Sequence, residues 1–235
     1  MGPKGFNLKY KELVKHILMH GVDQEGRNGM YKTIPHYSFT IDNMLEDHAL
    51  LLRKMYYAGV TGEFMTLIDY INPLTSVEQF EANGCNYWKA WAGPNGELNL
   101  DYYNRLHPQL EFVIEQIKRD PYNRRHVVSL WHHENLGELS LPCCWHNLTF
   151  SVIGETLHLV WTQRSVDTMV GLPSDVYLAY LFMQHVASKT KLSIGSCMFS
   201  LANVHIYAEH IAGAKEILNR TILDYDNPLK FKLKA

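Results

Sequence analysis

The stretch Leu141-Pro142-Cys143-Cys144-Trp145-His146, followed by the strand-like runs 147–153 and 156–162 on either side of Gly154-Glu155, decides how this chain is read. Two such runs about a Gly-containing turn predict a β-hairpin. A hairpin returns the chain to near where it began, so Arg164, at its far end, can approach Cys144. A guanidinium beside a thiol lowers its pKa and favours the nucleophilic thiolate. The ordinary alternative is that a cysteine is a small buried hydrophobe. What shifts the balance towards chemistry is Arg164-Ser165-Val166-Asp167, about twenty residues on.

Working outward, residues 8–20 predict an amphipathic helix with Leu8, Leu13, Ile17 and Leu18 near one face. Residues 21–33 are polar and Gly-rich, with Arg27 between Gly26 and Gly29, and read as a loop. Residues 36–41 read as a strand, and residues 43–67 as largely helical, interrupted near Gly59 and Gly62. Asn95-Gly96 marks a turn. A helix over 108–119 is stopped by Asp120-Pro121, and a strand follows over 125–131. Ser174-Asp175 is expected to cap a helix running to about Ser188. A strand over 198–203 then leads through 204–207 into a last helix ending near Leu218. Strands cluster in the middle with helices around them, an α+β class. No repeat, low-complexity tract or linker divides residues 1–235, so one domain is expected.

Composition is that of an ordinary globular chain, 46% apolar and 20% charged, long enough to bury a core of its own. The formal net charge of −2 excludes a general field for polyanions, so any phosphate must be held locally and no nucleic-acid partner is expected. No run approaches the roughly 18 apolar residues of a membrane span, and the N-terminus lacks the apolar core of a signal peptide. The expectation is a cytoplasmic protein without a membrane partner. Cys85, Cys143, Cys144 and Cys197 include no Cys-x-x-Cys spacing, which disfavours a disulfide framework or a zinc site. His132, His133 and His146 lack a spaced carboxylate or cysteine partner, so no metal is expected.

A single exposed arginine is usually solvated surface. Arg124-Arg125 in tandem, with Arg164 and Arg27, could still make an anion clamp, and Ser165 adds a hydroxyl suited to a monophosphate. Pro142-Cys143-Cys144, the Q-R-S-x-D-x-x-x-G-x-P run over 163–173 and His205-Ile206-Tyr207 together resemble the thymidylate synthase family. That family includes thymidylate synthases and phage-type deoxycytidylate and deoxyuridylate hydroxymethylases. The resemblance covers about residues 8–218 and is strongest over 120–210.

It implies a mixed sheet with flanking helices and a sheet face packed in a homodimer. It implies that Cys144 attacks C6 of a pyrimidine nucleoside monophosphate. C5 then becomes able to attack 5,10-methylenetetrahydrofolate, the folate co-substrate, without a metal. Arg27, Arg164 and Ser165 match phosphate ligands. Arg124 and Arg125 match the pair that crosses the dimer into the partner's site. His205 and Tyr207 match the residues holding the sugar 3′-hydroxyl, and Asp167 the carboxylate on the pterin. Glu63 matches the glutamate that manages protons and an ordered water. Trp88 and Trp91 match folate-side aromatics, and Tyr102 an active-site tyrosine, with Tyr103 its rival.

Several departures from the family pattern stand out. Where thymidylate synthases carry an asparagine after Gly-x-Pro, this chain has Asp175. The asparagine amide accepts from uracil N3–H and donates to O4. Cytosine presents the reverse order, which a protonated carboxylic acid matches, and burial favours that protonated form. The plainer role for Asp175 is a helix N-cap, and both can coexist. After Asp224-Tyr225-Asp226 the sequence is read as lacking the long C-terminal closing segment, with a trimmed chain as the alternative. Without that segment water can replace hydride, giving a hydroxymethyl group and tetrahydrofolate. Trp145 replaces a histidine, Thr149 a glutamine, and Leu201-Ala202-Asn203 a glycine pair and aspartate.

The leading expectation is a deoxycytidylate 5-hydroxymethylase, a hydroxymethyltransferase of DNA modification with a viral origin fitting. Within the class the rivals are a thymidylate synthase, a cytidylate C5-methyltransferase and a deoxyuridylate hydroxymethylase. Outside it, the rival is an inactive nucleotide- or RNA-binding relative.

Overall fold

A computed structural model describes residues 5–69 and 72–221. In chain order these form α1 (Phe6–His20), β1 (Val22–Gly26), β2 (Gly29–Ile41), α2 (Met44–Asp47), α3 (Tyr57–Ile68), α4 (Val77–Glu81), a 3₁₀ turn (Tyr87–Trp91), α5 (Asp101–Asn104), α6 (Leu106–Arg119) and β3 (Val127–Ser129). The second half supplies β4 (Trp145–Ile153), β5 (Thr156–Gln163), β6 (Val166–Asp167), α7 (Gly171–Thr190), β7 (Ser193–Tyr207) and α8 (Ile211–Asn219). Among the described residues the strands make one 7-stranded mixed sheet in the order β1-β2-β7-β5-β4-β3, with β6 beside β7. The α+β class and the mixed sheet flanked by helices are as expected.

β4 and β5 form the expected hairpin, Ile153 opposite Thr156, with Gly154 at φ 60 in the turn. β5 and β7 are parallel, so the chain must cross over between them, and α7 is that crossover. The sheet has two unlike faces because side chains alternate along each strand. Phe39, Phe199, Trp161, Leu148 and Val128 are register partners across five strands, and all are buried. Each such side chain contributes roughly 1.5–3 kcal/mol by leaving water. One residue along, Thr40, Met198, Val160, Thr149 and Val127 form the matching row on the other face. There Val127, Met198 and Val160 are 38%, 39% and 37% exposed.

Four expectations are corrected. The supposed loop over 21–33 is the hairpin β1–β2, whose two turn residues are Arg27 and Asn28. Its polarity reflects an exposed edge rather than irregular backbone. The helix expected over 43–67 exists only as α2 and α3. Between them Leu51 N–H donates to Asn7 Oδ1 (2.6 Å), Asn7 Nδ2 to the Ala49 carbonyl (2.8 Å) and Leu50 N–H to the Tyr57 hydroxyl (2.9 Å). Those side chains satisfy backbone groups that a helix would otherwise pair. Gly59 and Gly62 lie inside α3, where a Cβ on Gly62 would meet the Asn83 carbonyl at 2.2 Å. The strand expected over 125–131 contracts to β3. Finally, α7 begins at Gly171, which puts Asp175 in its second turn and removes the capping role. Asp167 Oδ1 instead accepts from Met169 N–H (2.9 Å) and Val170 N–H (3.2 Å) at the helix entry, and Pro173 is tolerated in the first turn.

Candidate active site

The nucleophile candidate sits where β4 begins. Arg164, the residue after β5, donates its backbone N–H to the Cys144 carbonyl (2.9 Å), closing the hairpin as expected. The pairing register shifts between Trp145 and Asn147, an irregularity of the kind that re-aims a side chain beside a site. Cys143 is 4% exposed while Cys144 is half-buried, so Cys144 is the more exposed residue of the pair. The Arg164 guanidinium turns to the loop: Nε donates to the Cys143 carbonyl and Nη2 to the Pro142 carbonyl, both at 2.8 Å, and it lies 5.4 Å from the Trp131 ring centre. Burial therefore outweighs the cation and pushes the Cys144 thiol up to about 11. The expected resting thiolate is corrected on that point: Arg164 lowers the pKa, but burial wins.

Tyr102, buried on α5, donates its hydroxyl to the Leu141 carbonyl (2.8 Å) and so holds the same loop from behind. Its rival Tyr103 packs edgewise on Trp88 (5.8 Å) and lies 5.9 Å from Trp145.

Glu63 follows the tight approach of Gly62 on α3 and is 7% exposed. Trp88 Nε1 donates to its Oε1 (3.1 Å), and the Tyr87 hydroxyl donates to its Oε2. Burial raises the Glu63 pKa, and these two donors oppose the rise. Tyr87 escaped the sequence reading, because nothing in its spacing marks it. Trp88 is buried against Phe80 and reaches the site through Glu63, whereas Trp91, half-buried, keeps open surface.

Asp175 receives a 2.6 Å hydrogen bond from Gln163 Nε2 on its Oδ2. Burial raises its pKa to about 7, against the opposing Gln163 donor and with help from the Glu63 and Asp167 charges. Gln163 opens the Q-R-S run, so the motif that identified its neighbours could have found it.

A cleft of about 550 Å³ is bordered by Arg27, Asn28, Tyr31, Ser165, His205 and Tyr207, and Cys144, Glu63 and Asp175 are not in its lining. Four residues predicted from distant parts of the sequence thus share one wall. β2 and β7 pair Tyr31 with Tyr207, and β6 pairs Asp167 with His205. His205 Nδ1 lies 2.8 Å from the Asn203 carbonyl, which can only accept. Nδ1 therefore carries the proton, and a neutral ring presents Nε2 as an acceptor. Asn203 adopts φ 48 and donates Nδ2 to the Arg164 carbonyl (2.8 Å), tying this corner to the nucleophile loop. Burial raises the Tyr207 pKa, and the charges of Asp167, Cys144 and Arg27 all reach it.

For the folate co-substrate, Asp167 spends Oδ1 on the α7 entry and has no described partner on Oδ2, so a donor on a pterin ring fits there. Arg124 and Arg125 stand exposed after α6, and the Arg125 backbone N–H donates to Asn123 Oδ1 (3.1 Å). Among the described residues no group of three or more His, Cys, Asp or Glu side chains could hold a metal. Among them, too, no helix is long and apolar enough to cross a membrane. The C-terminal expectation falls on residues 222–235, outside the described residues. Compared with known families, the chain matches the thymidylate synthase family model over residues 8–234.

Proposed function

Since the chain belongs to the thymidylate synthase family, we propose that it is a deoxycytidylate 5-hydroxymethylase acting as a single catalytic domain. Family membership makes it a one-carbon transferase that uses methylenetetrahydrofolate and a pyrimidine nucleotide. The observation that carries the finer reading is Asp175 with the Gln163 amide donating to its Oδ2. A carboxyl with a pKa of about 7 is substantially protonated in neutral solution. It can then donate to cytosine N3 and accept from the 4-amino group, the order uracil does not offer.

In this reading Arg27 and Ser165 hold the phosphate, joined by Arg124 and Arg125 from a partner protomer. His205 Nε2 and the Tyr207 hydroxyl hold the sugar. The Cys144 thiol gives up its proton to water as its sulfur adds to C6, and the electron pair at C5 attacks the methylene carbon of the folate. Loss of the C5 proton and departure of tetrahydrofolate leave an exocyclic methylene. Water adds there as Glu63 takes its proton, and the Cys144 sulfur leaves C6. Tyr102 and Arg164 hold the nucleophile loop, while Asp167 and Trp91 face the folate. The homodimer is supported by the half-exposed row Thr40, Met198, Val160, Thr149 and Val127 on the sheet.

The test is mass spectrometry of the product from equimolar dCMP and dUMP with methylenetetrahydrofolate. A hydroxymethyl group on dCMP alone is expected. A methyl group on dUMP would overturn both the base and the water, leaving a thymidylate synthase.

A further inference from the structure

A protonated carboxyl is an ambiguous reader. With the O–H on one oxygen it matches cytosine, and with the O–H on the other it matches the N3–H and O4 of uracil. Asp175 alone therefore does not choose between the two bases, and the choice needs something that fixes the proton.

The structure supplies it two positions apart on β5. Trp161 is fully buried, and its indole N–H lies 3.1 Å from Gln163 Oε1. An indole nitrogen only donates, so the amide oxygen must face it, which settles an orientation that an amide otherwise leaves open. The Gln163 NH₂ must then point the other way, at Asp175 Oδ2 (2.6 Å) and the Ser165 carbonyl (3.3 Å). Gln163 is 2% exposed, so water cannot easily replace either bond. An NH₂ has no lone pair to offer, so a proton on Oδ2 could not point at it. A carbonyl oxygen also accepts from that N–H better than a hydroxyl oxygen does, which favours the proton on Oδ1. We propose that Trp161 and Gln163 are positioning residues that confine the Asp175 proton to Oδ1, and that this relay of fixed polarity separates cytosine from uracil.

Oδ2 has two lone pairs, one for Gln163 and one for the 4-amino group of the base. The other titratable groups whose charges reach Asp175 are Glu63, Asp167, Tyr103 and the Cys144 thiol. Among the described residues none of these donates to it, and the Gln163 amide is the side-chain donor that breaks its symmetry. The inference rests on the reading above that Asp175 faces the pyrimidine edge.

The experiment measures kcat/KM for dCMP and dUMP across pH in the wild type, Gln163→Leu and Trp161→Phe, with folding checked by circular dichroism and melting. In Gln163→Leu the dCMP-to-dUMP ratio is expected to fall by at least about tenfold. The alkaline limb for dCMP should also move to higher pH, because a donor that favours the carboxylate has gone. Trp161→Phe keeps the donor but lets the amide rotate, and should lower the ratio by a smaller factor. It carries the test alone if Gln163→Leu does not fold. A folded variant whose ratio stays within about twofold of the wild type, with an unmoved limb, overturns the relay. A wild type that prefers dUMP overturns the base reading on which the relay rests.

Discussion

Arg27 stands exposed at the tip of a hairpin, its Nε held only by a 3.3 Å bond to its neighbour Asn28, while Asp175 is gripped at 2.6 Å by a buried glutamine. In the proposed function the two mark opposite ends of one site. At the outer end, charge meets solvent and ordinary side chains suffice to attract a phosphate. At the inner end, burial has changed what the side chains are: a carboxyl near 7, a thiol near 11 and a glutamate raised above its usual range. Binding is thus built by placement and chemistry by desolvation, and the two ends should respond differently to mutation, salt and pH.

The largest expected effect breaks the inner end outright. Cys144→Ser should lower kcat at least about 10⁴-fold. It should also abolish the covalent adduct that the wild type forms with a 5-fluoro pyrimidine nucleotide, read by intact-mass spectrometry. An unchanged adduct would move the nucleophile to Cys143. Next comes Asp175→Asn, which should exchange the preferred base and lower the dCMP-to-dUMP ratio by about 10³-fold or more.

The same variant sharpens the comparison through pH. Asp175 is raised in the folded state, so its favourable contribution is fully present below the unfolded carboxyl pKa and is lost as pH rises through about 7. Asp175→Asn should therefore gain in melting temperature on the wild type as pH rises from below about 3.8 to about 8. In the wild type, dCMP turnover limited by the neutral acid should decline above about 7, although a rising thiolate fraction pulls the other way. A melting difference that stays constant over that range would show that the carboxyl is not desolvated as described.

Glu63→Gln keeps acceptance from Trp88 at one atom and removes the base. A fall in kcat of about 10²-fold with little change in nucleotide KM is expected in steady-state kinetics. The smallest effect belongs to the outer end. Arg27→Ala should raise the nucleotide KM by about tenfold, with kcat held and the salt dependence of KM reduced. A matching loss in kcat would draw Arg27 into the chemistry and erase the distinction.

Legibility in the sequence follows the same divide. The hairpin around Gly154-Glu155 and α6 ahead of Asp120-Pro121 were readable because turn residues and periodicity are local. The ordered residues Cys144, Arg164, Ser165 and His205 were readable because their order and spacing resemble those of the family whose model the chain matches. The β1–β2 hairpin was not, since an exposed polar edge has the composition of a loop. Nor was the break between α2 and α3, where the partner groups include Asn7, more than forty residues away. Tyr87 on Glu63 depends on a close helix approach at Gly62 that no local pattern records.

By itself the sequence determined the fold class, the family and the residue types of the site, because those depend on patterns and order along the chain. Only the tertiary structure decided the protonation of those residues and the direction of their hydrogen bonds. A carboxyl's pKa depends on the water removed around it, and an amide's polarity on what stands at each end. For Asp175 and Gln163 those neighbours are Trp161, Glu63 and Asp167, brought together by β5, α3 and the entry to α7.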